Sequence, residues 1–257
     1  MPAYHPRVSV NSICSWSLPF EEDLALWKDI GVDHVGLIEP KLEAFGWDAG
    51  FEAIRRSGIN VSSFSCYRWG TPASLEFCAE LGTGVLYMVT GGYGAIPWED
   101  AAAAFCEELR PSVTRAGELG VTLAVEPTNP LRVDGSFVHS VRDAIDLARA
   151  CGIGIVVDFY SAWYERDIEL LIRKNVDILA LVQVCDYKLG TYNTPNRSVL
   201  GDCEIPIERL VRTILDAGYD GVFDLELLGP RTEEEGYRSA ILRSIEHMSD
   251  LLSRLGA

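Results

Sequence analysis

No stretch of the 257 residues reaches the roughly 18 uninterrupted apolar positions that a bilayer-spanning helix needs, so no membrane association is expected. The start MPAYHPRVSV lacks the charged n-region and apolar h-region of a secretory leader, which predicts a cytoplasmic protein. Basic residues are scarce. Against 38 Asp and Glu stand 22 Lys and Arg, a formal charge of −16, and such a field repels nucleic acid and anionic lipid. A phosphorylated substrate would need a local cluster of Arg or Lys to overcome it. The seven cysteines include no CxxC pair, and several sit inside apolar runs, so reduced buried thiols are expected rather than a disulfide frame or a zinc knuckle. No GxGxxG follows a strand-like run, the pair Gly91–Gly92 included, which excludes a dinucleotide fingerprint. No GxSxG elbow is present either, which removes support for serine hydrolase chemistry.

What is present is a rhythm. VSVNS (8–12) alternates as a strand, and PFEEDLALWKDIG (19–31) follows as a helix with acids in its first turn and Gly at its end. The same pairing recurs with DHVGLI and residues 47–58, INVSSF and residues 71–82, and VLYMVT and residues 98–120. In the second half VTLAVE precedes a helix at 140–151, GIVVDF one at 165–174, DILALVQVCD a long loop (187–204) and a helix at 205–218, and GVFDLEL a terminal helix at 233–254. Parallel strands need crossover connections, and near-continuous Val, Ile and Leu runs suit strands buried on both faces. Eight βα units without a composition break predict an α/β fold, a single-domain (β/α)8 TIM barrel over residues 1–257, with an open doubly wound sheet as the other arrangement.

Oxygen-bearing side chains stand at the tips of four consecutive predicted strands: Glu126, Asp158, Gln183 and Glu226. On a parallel barrel these tips converge on the active-site face. Taken singly, an acid at a strand end is a helix cap or a loop ion pair. Taken together, three carboxylates and an amide oxygen form a hard donor set for one divalent ion, Mn2+ or Mg2+, which would relieve their mutual repulsion. Gln183 has substrate hydrogen bonding as its other reading. Asp186 is expected beside the substrate or orienting Gln183, with the turn chemistry of its own loop as the alternative. Tyr67, Trp69 and Trp163 lie in loops after strands, where aromatic rings wall a cleft and stack on a sugar, or simply pack in the core.

The order VEP, VVD, VQVCD and DLEL, with QVCDYKLGTYNTPNRSVLGDCEIPIERL and AGYDGVFDLEL, resembles the xylose-isomerase-like TIM-barrel family of sugar-phosphate isomerases and epimerases over nearly the whole chain. The resemblance implies a single divalent metal held by Glu126, Asp158, Glu226 and a fourth ligand. Gln183 stands there where most members have His, as in hydroxypyruvate-isomerase-like members, and Ser161 stands where the family usually has a second His. It also implies that Glu126 and Glu226 are the catalytic acids, one removing a proton next to a carbonyl and the other returning it through an enediolate. Arg197 is implied to contact substrate. The expected function is thus a metal-dependent isomerase or epimerase of a small sugar or keto-acid, with a dehydratase on a keto-sugar or inosose-like compound, or a non-catalytic metabolite-binding barrel, as alternatives. The DNA-repair endonuclease branch of the superfamily resembles a histidine-rich site with a basic face, whereas this chain has four His and an acidic surface. A homo-oligomer is an open possibility.

Overall fold

The computed structural model describes residues 4–67 and 70–257. Its chain order is β1 (Val8–Asn11), α1 (Phe20–Ile30), β2 (His34–Ile38), α2 (Glu39–Phe45), α3 (Trp47–Ser57), β3 (Asn60–Cys66), α4 (Pro72–Leu81), β4 (Val85–Met88) and α5 (Trp98–Leu119). It continues through β5 (Thr122–Val125), α6 (Val141–Cys151), β6 (Gly154–Asp158), α7 (Phe159–Ala162), α8 (Ile168–Lys174), β7 (Leu179–Val184), α9 (Ile207–Asp216), β8 (Phe223–Leu225), α10 (Pro230–Glu235) and α11 (Tyr237–Leu255). All eight strands are parallel to their neighbours, and β8 pairs back onto β1 through Val8 with Phe223 and Val10 with Leu225, closing the barrel. The eight-unit expectation is met, and the open-sheet alternative falls.

Three short helices replace expected loops. In α2 and α10 a proline sits in the first turn, where its missing N–H costs nothing, and a left-handed glycine (Gly46, Gly236) ends each helix. For α7 the cap is Asp158 itself, whose side chain accepts from the Tyr160 N–H.

Strand alternation sorts the core into two parts. Outward residues such as Val125, Ile155, Val157, Val182 and Val184 join the main core beneath the helices. Inside the barrel, Tyr87, Ala124, Val156 and Leu181 form a separate small cluster. Two residues further along the last three of these strands come Glu126, Asp158 and Gln183, so the apolar plug supports the polar tips from below. The other side of the barrel interior is polar: Ser9, Asn11, Ser63 and Asp224 are all fully buried.

One expectation about the cysteines is overturned. Cys106 on α5 and Cys151 at the end of α6 are joined in a disulfide, with Cα atoms 5.0 Å apart. The pair lies 45 residues apart in sequence, so no local motif announces it; it exists because α5 and α6 are adjacent around the barrel. The other five cysteines take part in no disulfide. No helix among the described residues is long and apolar enough to cross a membrane.

Candidate metal centre

The tips of β5, β6, β7 and β8 are adjacent in the barrel order, and this brings the four residues together. Glu126 follows β5, Asp158 ends β6, Gln183 lies in β7 as the register partner of Asp158, and Glu226 follows β8. One oxygen from each of Glu126, Asp158 and Glu226 lies within 4.8 Å of the others. Glu126 and Glu226 line a cleft of about 550 Å3, whereas Asp158 and Gln183 are fully buried beneath it.

Arg197 shares this centre. Its guanidinium is buried and bridges two of the acids, Nη1 to Glu226 Oε1 at 2.8 Å and Nη2 to Asp158 Oδ2 at 3.0 Å, while its plane lies over the Tyr160 ring at 4.9 Å. The loop carrying it is fixed from both sides: the Arg197 N–H donates to the Leu228 carbonyl, and the Asn196 N–H donates to Tyr160 Oη. Gly229 makes that close approach possible. Its φ is +116°, and a Cβ there would collide with the Pro195 carbonyl oxygen and come within 2.8 Å of Asn196 Cα.

Each acid is differently tied. Asp158 accepts from the Tyr160 N–H on Oδ1 and from Ser161 Oγ and Arg197 on Oδ2. On Glu226, Arg197 occupies Oε1 and leaves Oε2 buried without a partner. Among the described residues no hydrogen bond holds the Glu126 carboxylate. Burial, then Glu226 and Asp158, push Glu126 well above the usual carboxylate range. Burial likewise lifts Glu226 from 4.5 to about 7, with Arg197 holding it down against Asp158.

These shifts fix the sign of a pH effect. An acid whose folded pKa is raised binds more protons folded than unfolded, so its contribution to stability is complete below 4.5 and disappears as pH rises through about 7. Chelator-treated protein is therefore expected to melt at a lower temperature at pH 8 than at pH 5.5, and excess Mn2+ to reverse the difference. A flat profile by scanning calorimetry would count against crowded carboxylates at this site.

The remaining expected residues divide. Tyr67 lines the cleft, 60% exposed, with its N–H donating to Glu39 Oε2 on α2. Trp69 lies outside the described residues. Trp163 is not on the cleft: it packs at the core edge against Tyr164. Asp186, expected beside the substrate or Gln183, instead accepts from four backbone N–H groups, those of Tyr187 and Ile205 on Oδ1 and of Gly201 and Cys203 on Oδ2. Together with its backbone pairing to Ser198, it staples the long loop that carries Arg197, so loop chemistry claims both oxygens.

Three residues absent from the sequence reading belong to the site's foundation: Tyr87, Asn11 and Asp224. Tyr87 Oη accepts from Gln183 Nε2 and from Asn11 Nδ2, both at 3.1 Å, and Asn11 Nδ2 also donates to Asp224 Oδ2 at 2.8 Å. With its amino group so engaged, Gln183 keeps Oε1 buried and unpartnered. A lone pair left bare in a dry site is costly unless a cation or donor meets it. Two such oxygens, Gln183 Oε1 and Glu226 Oε2, beside three crowded carboxylates are the donor set that a divalent ion fits.

The sequence model of a family described as a xylose isomerase-like TIM barrel matches residues 24–247. A protein from Sinorhizobium meliloti 1021 is 20% identical, with a TM-score of 0.86 over 95% of this chain and 98% of that one. The IOLI protein, solved with a zinc atom, is 16% identical with a TM-score of 0.82 over 97% and 99%. The 3-keto-D-glucoside 4-epimerase of E. coli is 18% identical with a TM-score of 0.72 over 93% and 99%. At these identities the structures establish a shared fold. No curated protein matches the chain.

Proposed function

The chain belongs to the xylose isomerase-like TIM barrel family, and from that membership we propose that it is a divalent-metal-dependent isomerase or epimerase of a small, uncharged hydroxy-carbonyl compound such as a keto-sugar. The observation that carries this reading is the pair of unpartnered buried oxygens on Gln183 and Glu226 beside the carboxylate cluster. Glu126, Asp158, Gln183 and Glu226 would hold the ion, and all-oxygen donors suit Mn2+ or Mg2+. Its chemistry there would be to offset the carboxylate charge and polarise a substrate carbonyl. The zinc in the similar IOLI structure and the epimerase among the neighbours support the same reading.

The chain's own residues supply the proton transfer. Glu126 and Glu226 are the two acids of the cluster that line the cleft, so they reach the carbon next to the carbonyl; one takes its proton and the other returns one to the enediolate. Arg197 keeps Glu226 in place while that exchange proceeds. Trp16, Tyr67 and Tyr160 give the cleft ring surfaces for the apolar faces of a sugar. Among the described residues its two lining arginines are already paired, Arg132 with Asp134 and Arg197 with Asp158 and Glu226, which disfavours a phosphorylated substrate.

A panel of neutral keto-sugars incubated in D2O with Mn2+-loaded protein tests the proposal. Deuterium at the carbon next to the carbonyl together with an isomeric product is expected, and chelation should abolish both. An absorbing enone in place of the isomer would move the assignment to elimination. Thermal stabilisation by a ligand with neither exchange nor product across the panel would leave a binding barrel instead.

A further inference from the structure

We propose that Tyr87, held by Asn11 and Asp224, is a positioning residue that sets the Gln183 amide with its oxygen towards the carboxylate cluster. The inference rests on the metal-centre reading above.

A primary amide beside three carboxylates has a simple electrostatic preference. It would turn its NH2 towards them, as donors to acceptors, and Gln183 would then be a poor ligand for a cation. The structure has the amide the other way round, with Nε2 on Tyr87 Oη and Oε1 buried without a partner. Something must impose that polarity.

The chain of hydrogen bonds behind Tyr87 does so. Asp224 is fully buried on β8, and its carboxylate accepts from Ser9 Oγ at 2.6 Å and from Asn11 Nδ2 at 2.8 Å. Asn11 is fixed from its other end as well, because its Oδ1 accepts from the Ile13 N–H at 3.0 Å. It therefore cannot flip without losing both bonds, and it presents Nδ2 to Tyr87 Oη. Gln183 Nε2 likewise donates to that phenol oxygen at 3.1 Å, so what Tyr87 offers Gln183 in this arrangement is a lone pair. Gly36 completes the device: a Cβ at this position would stand 2.6 Å from Asp224 Oδ2 and 2.7 Å from Asn11 Nδ2, so only glycine leaves room for that bond.

The test compares Mn2+ binding by calorimetry in chelator-treated wild type, Tyr87→Phe, Gln183→Leu and the double variant. Tyr87→Phe is expected to weaken binding at least about tenfold, the size typical of groups that orient metal ligands. In the Gln183→Leu background the same change should cost less than about threefold, because its effect runs through the amide. Equal losses in both backgrounds would overturn the proposal, since Tyr87 would then act by packing alone. A second readout needs no ion. In chelator-treated wild type, the Gln183 NH2 protons, recognised by their loss in Gln183→Leu, should show nuclear Overhauser contacts to the Tyr87 ring; their absence would overturn the assigned orientation. Wild type that shows these contacts but binds no Mn2+ would uphold the orientation and refute the metal-centre reading instead.

Discussion

Glu126→Gln is expected to lower kcat by roughly 10²–10⁴-fold, the usual contribution of a positioned acid or base, while making the chelator-treated protein more stable at pH 8. The two effects have opposite signs for one reason. The Glu126 carboxylate has no hydrogen-bond partner among the described residues, and burial with Glu226 and Asp158 makes its ionised form costly. Removing the charge relieves that repulsion, yet it also removes the group proposed to exchange a proton with the substrate. Turnover at saturating Mn2+ and melting temperature in chelator should be measured on the same preparation. Undiminished turnover would dismiss Glu126 from proton transfer, and a lower melting temperature would show that its charge is compensated in a way the geometry does not provide.

Arg197→Met should produce the largest loss of stability at the site. The guanidinium is the only cation within the cluster among the described residues, and it serves Asp158 and Glu226 at once. Removing one partner of a buried ion pair costs about 3–5 kcal/mol, and for a chain of this length that is about 6–20 °C in melting temperature. The loss should be greatest in chelator at pH 8, where Glu226 must ionise without its cation, and smaller at pH 5.5, where Glu226 takes up a proton. Arg197→Lys should recover little of it, because a single ammonium lacks the planar fork that reaches two carboxylates. Melting curves unchanged to within a degree or two would mean that Arg197 is a substrate contact only.

Much of this was legible in the sequence because it depends on local pattern. Eight apolar runs, each followed by an amphipathic segment, dictate parallel strands with helices outside, and a polar residue ending such a run must stand at the barrel's active-site mouth. Glu126, Asp158, Gln183 and Glu226 were therefore visible one strand at a time. Asp186 looked equivalent, since it too follows an apolar strand; its difference lies in the loop that folds back and occupies both of its oxygens. Trp163 looked like a cleft wall because it follows β6, yet α7 intervenes and carries it to the core edge.

The sequence by itself determined the barrel, its acidic charge and the placement of four oxygen-bearing residues at the strand tips, because strand period and strand order are properties of short segments. Only the tertiary structure decided how those residues are held. The Gln183–Tyr87, Asn11–Tyr87 and Asn11–Asp224 contacts span 96, 76 and 213 residues, and the Cys106–Cys151 bond spans 45. Hydrogen-bond polarity and ion pairing act over about 3 Å in space whatever the separation along the chain. Barrel closure, which sets β8 against β1, is what brings Asp224 within reach of Asn11.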